Sequence, residues 1–457
     1  LRTTVAPKVP HNRSTFPYFL MAESKPKLDD FEDDAVTTTA PAGGQPVRVA
    51  MGTHSAASLG GFKDFCLKPE LMNAITDNGF EQPSEVQHQA LPQAMLGNDI
   101  LAQAKAGMGK TAVFVFALLE QIEAQTPKHV QAIVVVNTRE LAFQIDREFN
   151  RFNKYLPQCT TAVFFGGVLE EENFKVLADP DKLPAIVVGT PGRLVTLIQK
   201  KKLDLSHVKY FVVDEFDRCL EDLRMRRDVQ LVFMATPPQK QVMMFSATMT
   251  KELHEVARRF MNNPTEVLVD QQSKLTLHGL AQYYMHLTEA QKIRKLCDLL
   301  DHIQFNQVII FVNDISRCEA LAHKLKELNF PAKAVHSGME QADRLLVYEE
   351  SKQQKTRIIV ATDLFGRGID IDRINAVVQF DMASDPNTYL HRVGRAGRFG
   401  TKGVTIAFVT DDERTIKREN RTYKDTEILK QVQERFEVEA KLLTDLNVIV
   451  PSQYMNQ

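Results

Sequence analysis

The 457-residue sequence holds only five cysteines, Cys66, Cys159, Cys219, Cys297 and Cys318. None stands in a Cys-x-x-Cys pair, the count is odd and the spacings are long. That excludes a zinc ribbon and a disulfide framework and predicts a reducing compartment. An excess of one charge sign is also missing: 56 Lys and Arg stand against 58 Asp and Glu, a formal net charge of -2. A histone-like positive coat is therefore excluded, and affinity for nucleic acid has to come from local patches. Long apolar runs are absent too. Stretches such as Ala112 to Leu119 fall far short of the ~20 residues that cross a bilayer, so no membrane partner is expected. What is present, 44% apolar and 25% charged residues, suits a soluble chain that buries a sizeable core. Its length predicts two or three domains at roughly 150 residues each.

Residues 1–59 read as a disordered N-terminal arm. Within it, residues 1–20 carry Arg2, Lys8 and Arg13, three prolines and no acid, and are read as non-native sequence rather than a targeting peptide. Then comes an acidic stretch (Asp29, Asp30, Glu32, Asp33, Asp34) and a run rich in Thr, Ala, Gly and Pro, a composition that cannot form a core. From Phe62 onward short apolar runs alternate with amphipathic stretches. Strands are predicted at Ile100–Ala102, Ile133–Val136, Ala162–Phe165, Ala185–Val188, Tyr210–Val213 and Val242–Phe245. A helix is predicted over Arg139–Phe152, where Leu141, Ile145 and Phe149 recur every four residues. The same rhythm restarts after a polar break near residues 270–280, with strands at Val308–Val312, Ala332–Val335, Arg357–Ala361, Ala376–Phe380 and Val404–Phe408. Alternation of this kind predicts an α/β fold: two tandem parallel-sheet domains, residues 60–269 and 281–440, joined by a linker, with a tail at 441–457.

The strand Ile100–Ala102 runs into Gln103-Ala104-Lys105-Ala106-Gly107-Met108-Gly109-Lys110-Thr111 and an apolar helix. This is the order a P-loop requires. Backbone N–H groups of Ala106, Gly107 and Gly109 and the helix N-terminus cradle phosphates, Lys110 reaches the β- and γ-phosphates, and Thr111 holds Mg2+. The partner such a loop needs is an acid at a neighbouring strand end, and Phe211-Val212-Val213-Asp214-Glu215-Phe216-Asp217 supplies it. Asp214 is expected on Mg2+ and Glu215 on the attacking water. Hydrolysis of a nucleoside triphosphate follows.

Further motifs extend this reading. Gly79-Phe80-Glu81-Gln82-Pro83-Ser84-Glu85-Val86-Gln87 resembles the Q motif of DEAD-box RNA helicases, with Phe62 upstream as its aromatic. Thr138-Arg139-Glu140-Leu141-Ala142, Gly166-Gly167, Thr190-Pro191-Gly192-Arg193 and Ser246-Ala247-Thr248 resemble the first-domain motifs of that family, in order. Ala361 to Asp370 and His391-Arg392-Val393-Gly394-Arg395-Ala396-Gly397-Arg398 resemble the second-domain motifs. Closer wording, such as Gln241 to Thr248 and Lys274 to Leu280, resembles the Asp-Glu-Cys-Asp subgroup of U2AF-associated splicing and mRNA-export helicases. The chain departs from that subgroup at Phe216 in place of cysteine and at Gly394, and from the usual pattern at Asn137 in place of proline.

The resemblance implies two RecA-like domains and ATP as the nucleotide, with Gln87 on the adenine edge, Phe62 on its ring and Asp370 on the ribose. It implies arginine fingers at Arg395 and Arg398, expected on one face of a helix starting near Asn387. It further implies RNA contacts by Thr138, Arg139, Gly167, Thr190, Gly192 and Arg193 in the first domain, and by Thr362, Gly366 and Arg367 in the second. Ser246 and Thr248 would couple phosphate to RNA. These are backbone-binding residue types without a base-reading array, so single-stranded or short duplex RNA is expected to bind without sequence preference. Nuclear location, splicing and mRNA-export partner proteins and a monomeric state in isolation are also expected. Local unwinding or RNA–protein remodelling is the expected activity, with an ATP-gated RNA clamp as the alternative.

Overall fold

A computed structural model describes residues 61–104, 107–124, 128–269, 280–363, 371, 373–397, 402–416, 421–436 and 438–454. The expected arm and most of the expected linker lie outside the described residues.

In the first half the apolar runs become seven strands: β1 (Ile100–Gln103), β2 (Ala132–Val135), β3 (Thr161–Phe164), β4 (Ile186–Gly189), β5 (Tyr210–Asp214), β6 (Gln241–Ser246) and β7 (Thr265–Leu268). They pair in the order β3-β4-β2-β5-β6-β1-β7, and every pairing is parallel. Every residue of β2, β4 and β6 is buried, because helices cover both faces of a parallel sheet.

The helix Arg139–Phe152 has its expected limits. Its start is set by Thr138, whose hydroxyl accepts the Leu141 N–H at 3.2 Å, and Leu141, Ile145, Phe149 and Phe152 are the stripe it buries. Phe216 is fully buried in the same core cluster as Phe164, Leu194 and Phe211. Behind the carboxylates its ring therefore acts as core packing.

The second half repeats the design with β8 (Leu280–His286), β9 (Gln307–Phe311), β10 (Ala332–Val335), β11 (Ile358–Ala361), β12 (Ile374–Gln379) and β13 (Gly403–Val409). A hairpin follows, β14 (Glu413–Ile416) and β15 (Arg421–Lys424), and then β16 (Lys441–Leu442). The second sheet runs β10-β11-β9-β12-β13-β8-β16, again parallel throughout. Strands β7, β8 and β16 and the hairpin exceed what periodicity predicted. β7, β14 and β15 carry charged residues, β16 has two residues, and β8 places Gln282 among its apolar residues and ends on the exposed His286.

Candidate functional site

Parallel strands send all their following loops to one edge, so the carboxyl end of each sheet is where function collects. The strand order then sorts the first-domain motifs. Loops after β1, β5 and β6 carry the P-loop, Asp214-Glu215 and Ser246 to Thr248. Loops after β3, β4 and β2 carry Gly166-Gly167, Thr190 to Arg193 and Thr138-Arg139. One half of the edge therefore bears the phosphate and carboxylate chemistry, and the other half bears the residues expected on RNA.

The phosphate loop turns on Gly107 and Gly109, both left-handed at φ 79° and 80°, a conformation that suits glycine. A Cβ on Gly109 would also lie 2.2 Å from Gln87 Nε2. The helix Glu85–Met95 braces this loop. Gln87 Nε2 donates to the Gly109 carbonyl at 3.1 Å, its Oε1 accepts the Ser84 N–H at 2.9 Å, and Ser84 Oγ donates to the Met108 carbonyl at 2.7 Å. The helix Lys110–Gln121 starts at Gly109 with no side-chain cap, so its first N–H groups suit an anion. Lys110 Nζ donates to the Ala104 carbonyl at 2.5 Å, and Thr111 is half-buried in the first turn. Phe62 is 1% exposed, edge-on to Phe65 and Phe116 with centroids 5.9 and 5.8 Å away. In this structure its ring faces protein rather than a base-sized opening. Ala106 lies outside the described residues.

Asp214 closes β5 and is buried. Burial first, then the neighbouring Glu215 charge, pushes its carboxyl up to about 7, against the pull of Lys110. Glu215 sits at φ 50°, a left-handed strain that non-glycine residues keep mainly at functional sites. Its Oε2 is buried and has no hydrogen-bond partner among the described residues, so it can accept from a bound donor. The set fits Mg2+: Asp214 and Thr111 offer hard oxygen ligands beside the phosphate loop. Among the described residues no cluster of three or more His, Cys, Asp or Glu could cage a metal. Mg2+ ordinarily takes one or two protein oxygens and completes its shell with phosphate and water.

Asp217 carries the site across to the second domain. Its Oδ2 lies 3.2 Å from His391 Nε2, with both side chains only 2% exposed, and it also accepts from the Thr248 hydroxyl. Burial alone would raise this carboxyl. The His391 bond and charge, Arg218 and Thr248 outweigh it and hold the group below the usual carboxylate range. Ser246 Oγ donates to the Thr248 carbonyl at 2.7 Å and accepts the Thr248 N–H at 3.1 Å. The Ser246 carbonyl in turn accepts the Ala104 N–H at 3.2 Å. A hydrogen-bonded path thus runs from the P-loop strand through Ser246, Thr248 and Asp217 to His391. Beside it Arg218 Nη2 donates to Thr388 Oγ1 at 3.3 Å. A second buried bridge joins Arg344 Nη2 to Glu140 Oε1 at 3.2 Å.

The second-domain helix is Pro386–Val393, capped by Asp385, whose Oδ1 accepts the Thr388 N–H at 2.8 Å. It ends one residue before Gly394. This corrects the expectation that Arg395 lies on a helix face: Arg395 follows the end, 3% exposed, with its Nε donating to the His391 carbonyl at 3.0 Å. After Val393 the chain tightens instead of continuing the helix: the Arg395 and Ala396 N–H groups donate to the Arg392 and Val393 carbonyls, three residues back, at 3.2 and 3.1 Å. Arg398 and Asp370 lie outside the described residues. Arg392, which the sequence reading passed over, is 1% exposed and grips Asp363 with Nε at 2.6 Å and Nη2 at 3.0 Å.

On the other half of the edge, Arg139 lies along Gly166 and Gly167. A Cβ on Gly167, at φ +87°, would come 2.2 Å from Arg139 Nη1, so glycine there makes room for the guanidinium. Thr138 is buried as a helix cap, while Thr190 and the exposed Gly192 open the helix Pro191–Gln199. Arg193 reaches back to Asn173 Oδ1 and the Val168 carbonyl, both at 2.7 Å, and so fixes the segment after β3. Thr362 is half-buried past β11, and Gly366 and Arg367 lie outside the described residues.

The DEAD/DEAH box helicase family matches residues 84–256, and the helicase conserved C-terminal domain matches residues 291–400. The chain is 52% identical over 413 residues to ATP-dependent RNA helicase WM6 of Drosophila melanogaster, covering 90% of this chain and 94% of that protein. The chain belongs to the DEAD-box RNA helicase family. It is also 52% identical to ATP-dependent RNA helicase DDX39A of Homo sapiens, over 90% of this chain and 93% of that one. Among solved structures, S. cerevisiae Dbp5 bound to RNA and ADP BeF3 is 28% identical with a TM-score of 0.74, covering 84% of this chain and 95% of that one. Mss116p bound to ssRNA and AMP-PNP, at 22% identity and a TM-score of 0.73 over 87% of this chain and 82% of that one, shares the fold. Both sheets of this DEAD-box chain are thus the RecA-like pair expected from its sequence.

Proposed function

We propose that this chain is an ATP-dependent RNA helicase that uses ATP with Mg2+ to separate short RNA duplexes or displace protein from RNA. The observation that carries it is the buried path from the P-loop strand through Ser246, Thr248 and Asp217 to His391. A path of this kind makes nucleotide state and domain closure depend on each other. Lys110 and the helix N-terminus hold phosphates, Asp214 and Thr111 hold Mg2+, and Glu215 directs water. Arg395 and Arg398 approach the γ-phosphate from the second domain. RNA lies against Thr138, Arg139, Gly167, Thr190, Gly192 and Arg193, and against Thr362, Gly366 and Arg367. Backbone amides, hydroxyls and guanidinium groups there bind sugar-phosphate irrespective of base. Relatives named as ATP-dependent RNA helicases support the activity. The resemblance to the Asp-Glu-Cys-Asp subgroup supports a nuclear role with splicing and mRNA-export proteins. Strand displacement on a short RNA duplex tests the reading, with ATP required and the Lys110→Ala variant inactive. ATP-dependent retention of RNA without displacement would favour the clamp instead.

A further inference from the structure

None of the family motifs quoted above lies beyond Arg398, yet the chain builds a separate antiparallel hairpin, β14–β15, just after β13. We infer that this hairpin is a positioning element for the second-domain motif residues Arg392 and Asp363, acting through Tyr423 and Asn313. The inference rests on the RNA-dependent ATPase reading above.

The register pairs Arg414 with Tyr423 across the hairpin, so both side chains project from one face. That face is anchored in the second domain at two points. Arg414 Nη1 donates to Asp381 Oδ1 at 3.1 Å and its Nε lies 3.3 Å from Asp425 Oδ1. Asp425 Oδ2 in turn accepts the Thr410 N–H and hydroxyl, both at 3.0 Å, which ties together the two ends of the segment carrying the hairpin. Asp381 also accepts from Lys292 at 3.3 Å, from Arg317 at 2.9 and 2.7 Å, and from the Asn313 N–H at 3.1 Å. The hairpin is therefore held by a charge-assisted hydrogen bond to Asp381 and an ion pair with Asp425.

Its second contact leads to the motifs. Tyr423 Oη accepts from Asn313 Nδ2 at 2.8 Å, and the same amide nitrogen donates to the Met382 carbonyl at 2.9 Å. Both amide hydrogens being committed, Asn313 Oδ1 is turned toward Arg392 and accepts its Nη2 at 2.6 Å. Arg392 also donates to the Asp381 carbonyl at 2.7 Å, and its remaining bonds hold Asp363, the neighbour of Thr362. Tyr423 thus sets the amide orientation, the amide steers the guanidinium, and the guanidinium places Asp363 beside Thr362. This is not an ordinary core network at its far end: Asn313 is exposed and the Asp363 side chain is 33% exposed, at the edge assigned to RNA. Loss of the Tyr423 hydroxyl therefore alters the setting of Asp363 more than the fold, since the ring stays in the buried cluster that holds Tyr389, Leu390 and Ile428.

The test is Tyr423→Phe in the full chain, with a single-stranded oligouridine of ten residues as the probe. ATP hydrolysis is titrated with RNA at saturating ATP and with ATP at saturating RNA, beside a thermal unfolding curve. The half-saturating RNA concentration should rise about fivefold, the low end of typical coupling between sites, while the KM for ATP and the unfolding midpoint stay at parental values. Unchanged half-saturation, or a fall in the unfolding midpoint with equal losses toward ATP and RNA, overturns the inference and leaves the helicase reading standing. A parent protein whose hydrolysis ignores RNA overturns both.

Discussion

Glu215→Gln will lower the rate of ATP hydrolysis by about 10³-fold, the range general-base removal commonly costs, and will leave a long-lived complex with RNA in the presence of ATP. The amide keeps the shape of the side chain, so the left-handed turn at φ 50° and the buried Asp214 beside it are retained. What disappears is the anionic oxygen, the buried Oε2 that has no donor among the described residues and is the proposed acceptor for a water proton. In the proposed function, binding and closure depend on other groups: the P-loop amides, Lys110 and the Asp217–His391 bridge. Single-turnover hydrolysis measured beside filter retention of labelled RNA checks both halves. Rapid RNA release from this variant in ATP would show that Glu215 holds the closed state itself and is not reserved for water.

His391→Ala is expected to lower RNA-stimulated hydrolysis by about 10²-fold while each domain remains folded. Removing one hydrogen-bond partner of a buried ionised group costs more than the ~1–3 kcal/mol of a neutral group, so long as the ionised group stays buried. Asp217 has an alternative here, because it lies between two domains. Opening the cleft lets water reach the carboxylate, so the penalty appears as lost closure and not as unfolding. Arg218 and Thr248 remain with Asp217 in the first domain and keep it anionic. ADP affinity, which depends on the first-domain P-loop, should be unchanged. Steady-state kinetics with saturating RNA, run beside an ADP titration, separates the two effects. An equal loss in both would mean that His391 supports the fold of the phosphate site and does not act on closure.

The legible parts of this chain were those where local pattern and tertiary demand agree. The helix Arg139–Phe152 was visible because its apolar spacing and its Thr138 cap mark both face and start. The buried strands of both sheets were visible because parallel strands covered on two faces must be apolar throughout. The edge strands β3 and β10 carried enough apolar residues to be visible, whereas β16 did not: it is two exposed residues, held by pairing with β8 and not by burial. The position of Arg395 is not legible locally, because the tightening after Val393 shows only in the three-back bonds of Arg395 and Ala396. The Asp217–His391 pair was invisible for a different reason. Its members are 174 residues apart, and nothing in either segment alone names the other. Arg392 and Tyr423 share that cause, since their roles arise only once β9, β12 and the hairpin meet at one edge. Gln87 was read as a base contact, and the structure adds a second task, bracing the Gly109 carbonyl of the P-loop.

In the proposed function one site joins nucleotide and RNA through two domains. ATP hydrolysis with and without single-stranded RNA tests it most directly, with GTP and single-stranded DNA as controls. Strong stimulation by RNA, with ATP as the only effective nucleotide, is the predicted result. An ATP hydrolysis rate that is the same with RNA, with DNA and without nucleic acid would contradict the account, because the path from the P-loop to His391 would then connect no second ligand.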